Sequence, residues 1–288
     1  MINLGGIGIL LVLVFGIYLV TGGKLEIVMH AIPGEGGTII GAAIATVVIG
    51  NAPSVLGKIV KDITAIMKGP RWKPEDYKDL LCLMFALTKL AKQKGLMAIE
   101  PHIEKPGESA IFQQYPKILA DHFAVDLICD NFRMISMSVD DPHVVEDAIE
   151  RSLKKHHDES LKGTKALGQM ADGLPALGIV AAVLGVVKTM GSIDQPPAIL
   201  GAMIGGALVG TFLGVLLAYG IVGPLGNRSK QIHEADGKFY EVIRNAIVSY
   251  LHGHAPQVSV ELGRQHVPSE AQPSFTQVEE ACQALKVA

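Results

Sequence analysis

A threonine surrounded by hydrocarbon is the first residue here that could do chemistry. Thr211 stands in the segment "GTFLG", inside a run free of Asp, Glu, Lys and Arg from Gln195 to Asn227. Its hydroxyl could offer an oxygen to a passing ion, or could bond back to its own helix. Glycines recur around it at a spacing of four: Gly201 and Gly205 in one row, Gly206, Gly210 and Gly214 in another. An earlier apolar stretch pairs Gly178 with Ala182, and Ala181 with Gly185. Glycine in a helix interior costs about 1 kcal/mol relative to alanine. In lipid, small residues at i, i+4 offset that cost by letting two backbones touch. The rows therefore predict close helix contact, within one chain or between copies.

Other chemistries have less support. His156 and His157 are adjacent, so on a helix they point about 100° apart and cannot readily share one ion; a solvated face is expected. The glycine-rich "GGIGIL" and the loop "GEGG" do not follow a strand and open a helix with a nearby acid, so they are not nucleotide cradles. Cys82, Cys129 and Cys282 have no pairing or zinc spacing, which fits a reduced, cytosol-facing location. The net charge of −3 is too balanced to suggest nucleic acid. No enzyme active site, metal site or bound cofactor is expected.

The elements that must hold these residues are membrane helices. Of 288 residues, 49% are apolar and 18% charged, and the mean hydropathy of +0.35 is high for a soluble domain. Four segments approach the ~20 residues a span requires: Met1 to Gly23, Gly36 to Gly57, a third from about Gly173 to Val187, and the uncharged run around Thr211. None of these carries a carboxylate near its middle. A proton path normally needs a titratable group at depth, so a proton-conducting chain of this kind would need a separate protein to bring the acid. The first span lacks a basic leader and "TGGK" is a poor cleavage site, so it is expected to be retained.

Lysine and arginine set the orientation. Of 25, seventeen lie from Lys58 to Lys165 and six from Arg228 onward, leaving only Lys24 and Lys188 for the two short loops. By the positive-inside rule, both termini and the long central segment face the cytoplasm. The fold expected is an all-α polytopic membrane protein with four transmembrane helices and a helical cytoplasmic domain between spans two and three. Residues 1–57 carry spans one and two, 58–170 the cytoplasmic domain, 171–224 spans three and four, and 225–288 a cytoplasmic C-terminal region.

Within the central domain, "KPEDYKDLLCLMFALTKLAKQKG" predicts one helix. Pro74 suits its first turn, Leu80, Leu81, Met84, Leu87 and Leu90 share a helical spacing, and Gly95 ends it. A second helix is predicted from about Ser109 to Ile135. A third is predicted in "SVDDPHVVEDAIERSLKKHHDES", capped by Asp141 and begun by Pro142. Another runs from about Lys230 to Leu251, with a partly irregular tail from His252. Trp72 is a candidate interface aromatic.

"GLPALGIVAAVLGVV" followed by "GALVGTFLGVLLAYGIVGPL" resembles the motility protein A family, stator proteins of the bacterial flagellar motor. "VFGIYLVTGG", "LAKQKGLMAIEPHIEKPGES", "YPKILADHFAVDLICDNFR", "VELGR" and "QPSF" extend the likeness over nearly the whole chain. The resemblance implies an inner-membrane protein forming a ring of five copies around two copies of motility protein B. That partner's single span carries the ion-binding aspartate. Ion flow then drives the ring, which pushes the rotor.

The resemblance also implies roles by position. Pro175 and Pro224 match prolines at the cytoplasmic ends of spans three and four, suited to coupling ion binding to motion; from the residues alone they could equally be plain helix boundaries. Thr211 matches the channel-lining threonine. Lys92 and Glu100 match the charged pair facing the rotor switch protein, with lysine where relatives often have arginine, so a bidentate contact is lost. Ala182 stands where sodium-driven relatives tend to have a threonine, which favours protons as the transported ion. Two other readings remain: an energiser of outer-membrane processes of the ExbB or TolQ kind, disfavoured by the second hydrophobic segment and the place of the long loop, and a non-conducting membrane scaffold.

Overall fold

The computed structural model describes residues 2–137 and 141–285. Among these residues the chain is helical, with no strand. Its first part holds α1 (Ile2–Val20), α2 (Leu25–Ala31), α3 (Gly37–Gly50) and α4 (Pro53–Lys68). Then come α5 (Pro74–Lys94), α6 (Glu100–Glu104), α7 (Pro116–Leu119) and α8 (His122–Ser136). The long helices α9 (Pro142–Ser160), α10 (Lys162–Met190), α11 (Pro197–Val215) and α12 (Gly223–Leu251) follow, and α13 (Pro256–Arg264) and α14 (Phe275–Ala284) close the chain. Two π-helical turns, Ile32–Gly36 and Leu216–Val222, join α2 to α3 and α11 to α12.

The contacts divide into two compact units: Met1–Gly69 with Ser160–Gln231, and Pro70–Glu159 with Ile232–Ala288. In the first, α10 lies along α11 and also touches α3 and α4. Its core is narrow: Leu174, Ala181, Val209, Leu213 and Ala218, with Val28, Ile39 and Ala43. Large apolar side chains face outward instead, among them Val12, Ile179, Val183, Leu184, Val187 and Leu208. That inside-out distribution suits hydrocarbon surroundings.

Three helical stretches are long and apolar enough to cross a membrane: Leu25–Gly50, Pro142–Met190 and Pro197–Leu251. The N-terminal helix is apolar but shorter, with Leu4–Val20 as its apolar part. The stretch Leu25–Gly50, which holds the expected second span, corrects the sequence expectation in a consequential way. It runs from Leu25 to Gly50, not from Gly36 to Gly57, so it takes in Glu35. "IPGEGG" looks like a loop because proline, glycine and a charge all argue against a helix. Here Pro33 is absorbed in a π turn, and the helix continues through Gly37.

The second unit is an ordinary water-soluble core. α5 is nearly encircled, with Leu80, Leu81, Leu83, Met84 and Leu87 fully buried. Its start is held by Asp76, whose carboxylate accepts the Lys73 N–H at 2.6 Å and a hydrogen bond from Lys117 Nζ at 2.5 Å. Gly95 ends it at φ +85°, where a side chain would be strained. Trp72 is only 4% exposed and stacks on Phe239 at 3.7 Å, so it is a core residue of this unit and not an interface anchor.

Three further expectations change. The stretch Ser109–Ile135 is not one helix: Pro116 opens the short α7, and Asp121 then caps α8, its Oδ1 accepting the Ala124 N–H at 2.8 Å. α12 starts at Gly223, seven residues before Lys230, and the tail from His252 forms α13 and α14. Asp141 does accept from His143 N at 2.9 Å at the start of α9, while Ser138, Val139 and Asp140 lie outside the described residues.

Candidate ion-pathway site

The glycines of α10 and α11 meet within one chain. A Cβ built on Gly178 would lie 2.9 Å from the Gly210 carbonyl oxygen and 3.0 Å from Gly214 Cα. One on Gly214 would lie 2.8 Å from Gly178 Cα and 2.8 Å from the Leu174 carbonyl oxygen. One on Gly185 would meet Ala207 Cβ at 2.7 Å, and one on Gly210 would meet Ala182 N at 3.1 Å. These separations leave almost no room for a side chain between the two helices. The other small residues do less. Gly206 faces Ala31 Cβ at an ordinary 3.7 Å, and nothing lies within 4 Å of a Cβ on Gly201.

The seam fixes the level of the two residues read as pathway. Ala182 stands opposite Gly210, so Thr211, the next residue, is held at the same depth. Thr211 is half-buried, and among the described residues its hydroxyl has no hydrogen bond. Other threonines of this unit behave differently: Thr189 donates to the Gly185 carbonyl at 2.9 Å and Thr46 to the Ala43 carbonyl at 2.8 Å. The back-bonded alternative is thus not adopted at position 211, and its oxygen is left for a ligand or solvent.

Neither proline is a helix boundary. Pro175 lies inside α10, where it removes one backbone donor. Pro224 lies in the first turn of α12, directly after the π turn Leu216–Val222, so the helix passes through it with a shifted hydrogen-bond frame. Both are local weak points in otherwise continuous helices.

Lys92 and Glu100 belong to the soluble unit, on either side of the Gly95 turn. Both are exposed. Lys92 Nζ makes a long hydrogen bond of 3.5 Å to the Gly253 carbonyl, and Glu100 has no ion pair among the described residues. Other charges of this unit are held. Arg71 pairs with Asp121 at 2.5 Å, and burial raises the carboxyl of Asp236 above the usual range against hydrogen bonds from the Arg71 and Trp72 backbone. The cysteines are free and buried. Burial pushes the Cys129 thiol up to about 12, which leaves it inert. His156 is not on a purely solvated face, since its ring stacks on Phe123 at 3.7 Å. No cluster of three or more His, Cys, Asp or Glu able to hold a metal occurs among the described residues.

Glu35 is the residue that sequence reasoning missed. Its carboxylate reaches the α10–α11 seam: Oε1 lies 3.2 Å from a Cβ built on Gly185, and Oε2 lies 3.1 Å from one built on Gly210. The signal was present, since Leu25–Ala31 before it is largely apolar, like Gly37–Gly50 after it.

Membrane-length helices packed through glycine, interrupted by a separate helical unit, define a helical membrane protein. A sequence model described as "Motility protein A N-terminal" matches residues 4–95, and one described as "MotA/TolQ/ExbB proton channel family" matches residues 120–239. Motility protein A of Escherichia coli (strain K12) is 38% identical over 282 residues, covering 97% of this chain and 95% of that protein. Chemotaxis protein LafT of Vibrio parahaemolyticus is 35% identical, with 95% of each chain covered. Among solved structures, that of C. jejuni MotAB matches with a TM-score of 0.72 at 17% identity, covering 93% of this chain and 96% of that one. The flagellar MotAB stator complex from Bacillus subtilis matches at 0.65 and 23% identity, covering 90% and 92%. At these identities the structures speak for the fold. The chain belongs to the motility protein A family.

Proposed function

We propose that this chain is the ion-conducting stator component of a flagellar motor, coupling proton flow to rotor torque. The observation that carries the reading is the likeness to motility protein A along almost the entire chain. The geometry supports it: α10 and α11 are held at contact distance and present an unbonded hydroxyl at Thr211. In this reading α1 is a fourth span, both termini face the cytoplasm across the bacterial inner membrane, and the outward apolar face of α10 and α11 is covered by lipid and by further copies. A homopentamer would enclose a central path there.

The partner is motility protein B, whose carboxylate would stand beside Thr211 and take the ion. The C. jejuni and Bacillus subtilis relatives are MotAB assemblies, which favours a two-protein assembly. Ala182 offers no side-chain oxygen, so a cation that needs several oxygen ligands is poorly served, and protons are the better cargo. Proton arrival would neutralise the partner carboxylate, and Pro175 and Pro224 would let α10 and α12 bend in response. Lys92 and Glu100 would face the rotor switch protein.

Swimming cells test this. In cells whose own motility protein A has been replaced by this chain, motility should stop on adding a protonophore and continue without sodium. Thr211→Leu should assemble normally yet abolish swimming; wild-type swimming by that variant would remove the residue from the pathway.

A further inference from the structure

We infer that Glu35 is a second proton-carrying carboxylate, built into this chain and placed in the conduction route beside the Thr211 level. The inference rests on the proposed conduction and adds a residue to it. It begins with depth. Glu35 lies within the membrane-length stretch Leu25–Gly50 and reaches the α10–α11 seam at Gly185, three residues (~4.5 Å of helix) inward of Lys188, on the outer part of the span. An ionised side chain there is costly, and it persists where it serves an ion or has a partner.

No bonded partner is provided. Among the described residues Glu35 has neither a hydrogen bond nor an ion pair. Lys188, three residues beyond Gly185 on α10, attracts it only through space. What the protein provides instead is room. Both carboxylate oxygens sit at the α10–α11 contact, within 3.2 Å of where side chains at Gly185 and Gly210 would start. Glycine on both walls leaves space for the carboxylate, and a methyl on either wall would press on it. The π turn Ile32–Gly36 carries Glu35 at this point, and single π turns inside helices recur at functional sites.

Two independent features thus converge: a carboxylate inside an apolar span without a bonded partner, and two glycines whose missing side chains make room for it at the seam, next to the level of Ala182 and Thr211. The step they support is simple. The carboxylate takes a proton from a hydronium on the outer side, releasing water. The neutral carboxyl then passes that proton inward to the partner's carboxylate and is ionised again. No charge is stranded, because uptake and release together return Glu35 to its ionised starting state.

The test uses the full complex with its partner, reconstituted in lipid vesicles with a pH dye inside. Glu35→Gln keeps shape and packing but cannot carry a proton. It should lower proton influx about tenfold or more per assembled complex, while mass and yield stay unchanged. Glu35→Asp should recover part of the flux. Influx through Glu35→Gln equal to wild type would overturn the inference. A silent wild-type complex would instead discard the conduction reading itself, so the two failures are distinguishable. A second measurement needs no turnover. A hydrophobic carbodiimide, which attacks protonated carboxyls in apolar surroundings, should modify Glu35 in the wild-type complex by peptide mass. Modification of the partner's carboxylate with none at Glu35 would count against it.

Discussion

At the scale of single residues, the decisive facts concern oxygens and the space around them. Thr211 keeps its hydroxyl off its own helix, while Thr189 and Thr46 do not. Glu35 places two oxygens where glycines have removed the competing carbon. Glu100 is the contrasting case, an exposed charge with no ion pair to lose among the described residues. Its reversal, Glu100→Lys, is expected to leave stability of the purified protein within about 0.5 kcal/mol while reducing swimming speed. Reversing one charge on the rotor switch protein should then restore part of that speed; a loss of stability that explains the loss of swimming would remove the contact. Thr211, Pro175 and the glycines were legible in the sequence because their types are unusual among so much hydrocarbon. Glu35 was hidden by its neighbours: Pro33, Gly34, Gly36 and Gly37 all argue for a loop, and only the packed structure shows that a π turn accommodates them.

At the scale of elements, one contact does most of the positioning. α10 and α11 meet at contact distance through Gly178, Gly214, Gly185 and Gly210, and this holds Ala182, Thr211 and Glu35 at one depth. Gly214→Val would drive carbon into Gly178 Cα and the Leu174 carbonyl. It should cost about 1–3 kcal/mol, measured as earlier thermal unfolding and lower yield in detergent. Gly201→Val, where nothing lies within 4 Å, is the control and should leave the chain's own fold unchanged; equal effects from both would deny that the seam is what the glycines serve. The spacing of four announced the seam in advance. It did not say which rows are used, since Gly206 and Gly201 obey the same spacing without tight contact. The soluble helices were legible where one signal dominated, as at Pro74 and Gly95. They were misread where a tertiary partner or a local cap decided, as at Trp72, which stacks on Phe239, and at Asp121, which caps α8.

At the scale of the whole molecule, an inside-out unit of apolar helices and a water-soluble unit alternate twice along one chain. The long helical stretches Pro142–Met190 and Pro197–Leu251 each contain an apolar span together with polar turns of the soluble part. The central claim is that ions cross only when a partner's carboxylate completes the path through this chain. Proton influx into vesicles tests it most directly, comparing three preparations: this chain alone, the chain with motility protein B, and the chain with a motility protein B whose membrane carboxylate has been neutralised. Rapid influx is expected in the second, and none above background in the first and third. Full influx from this chain alone, or an undiminished rate with the neutralised partner, would contradict the claim.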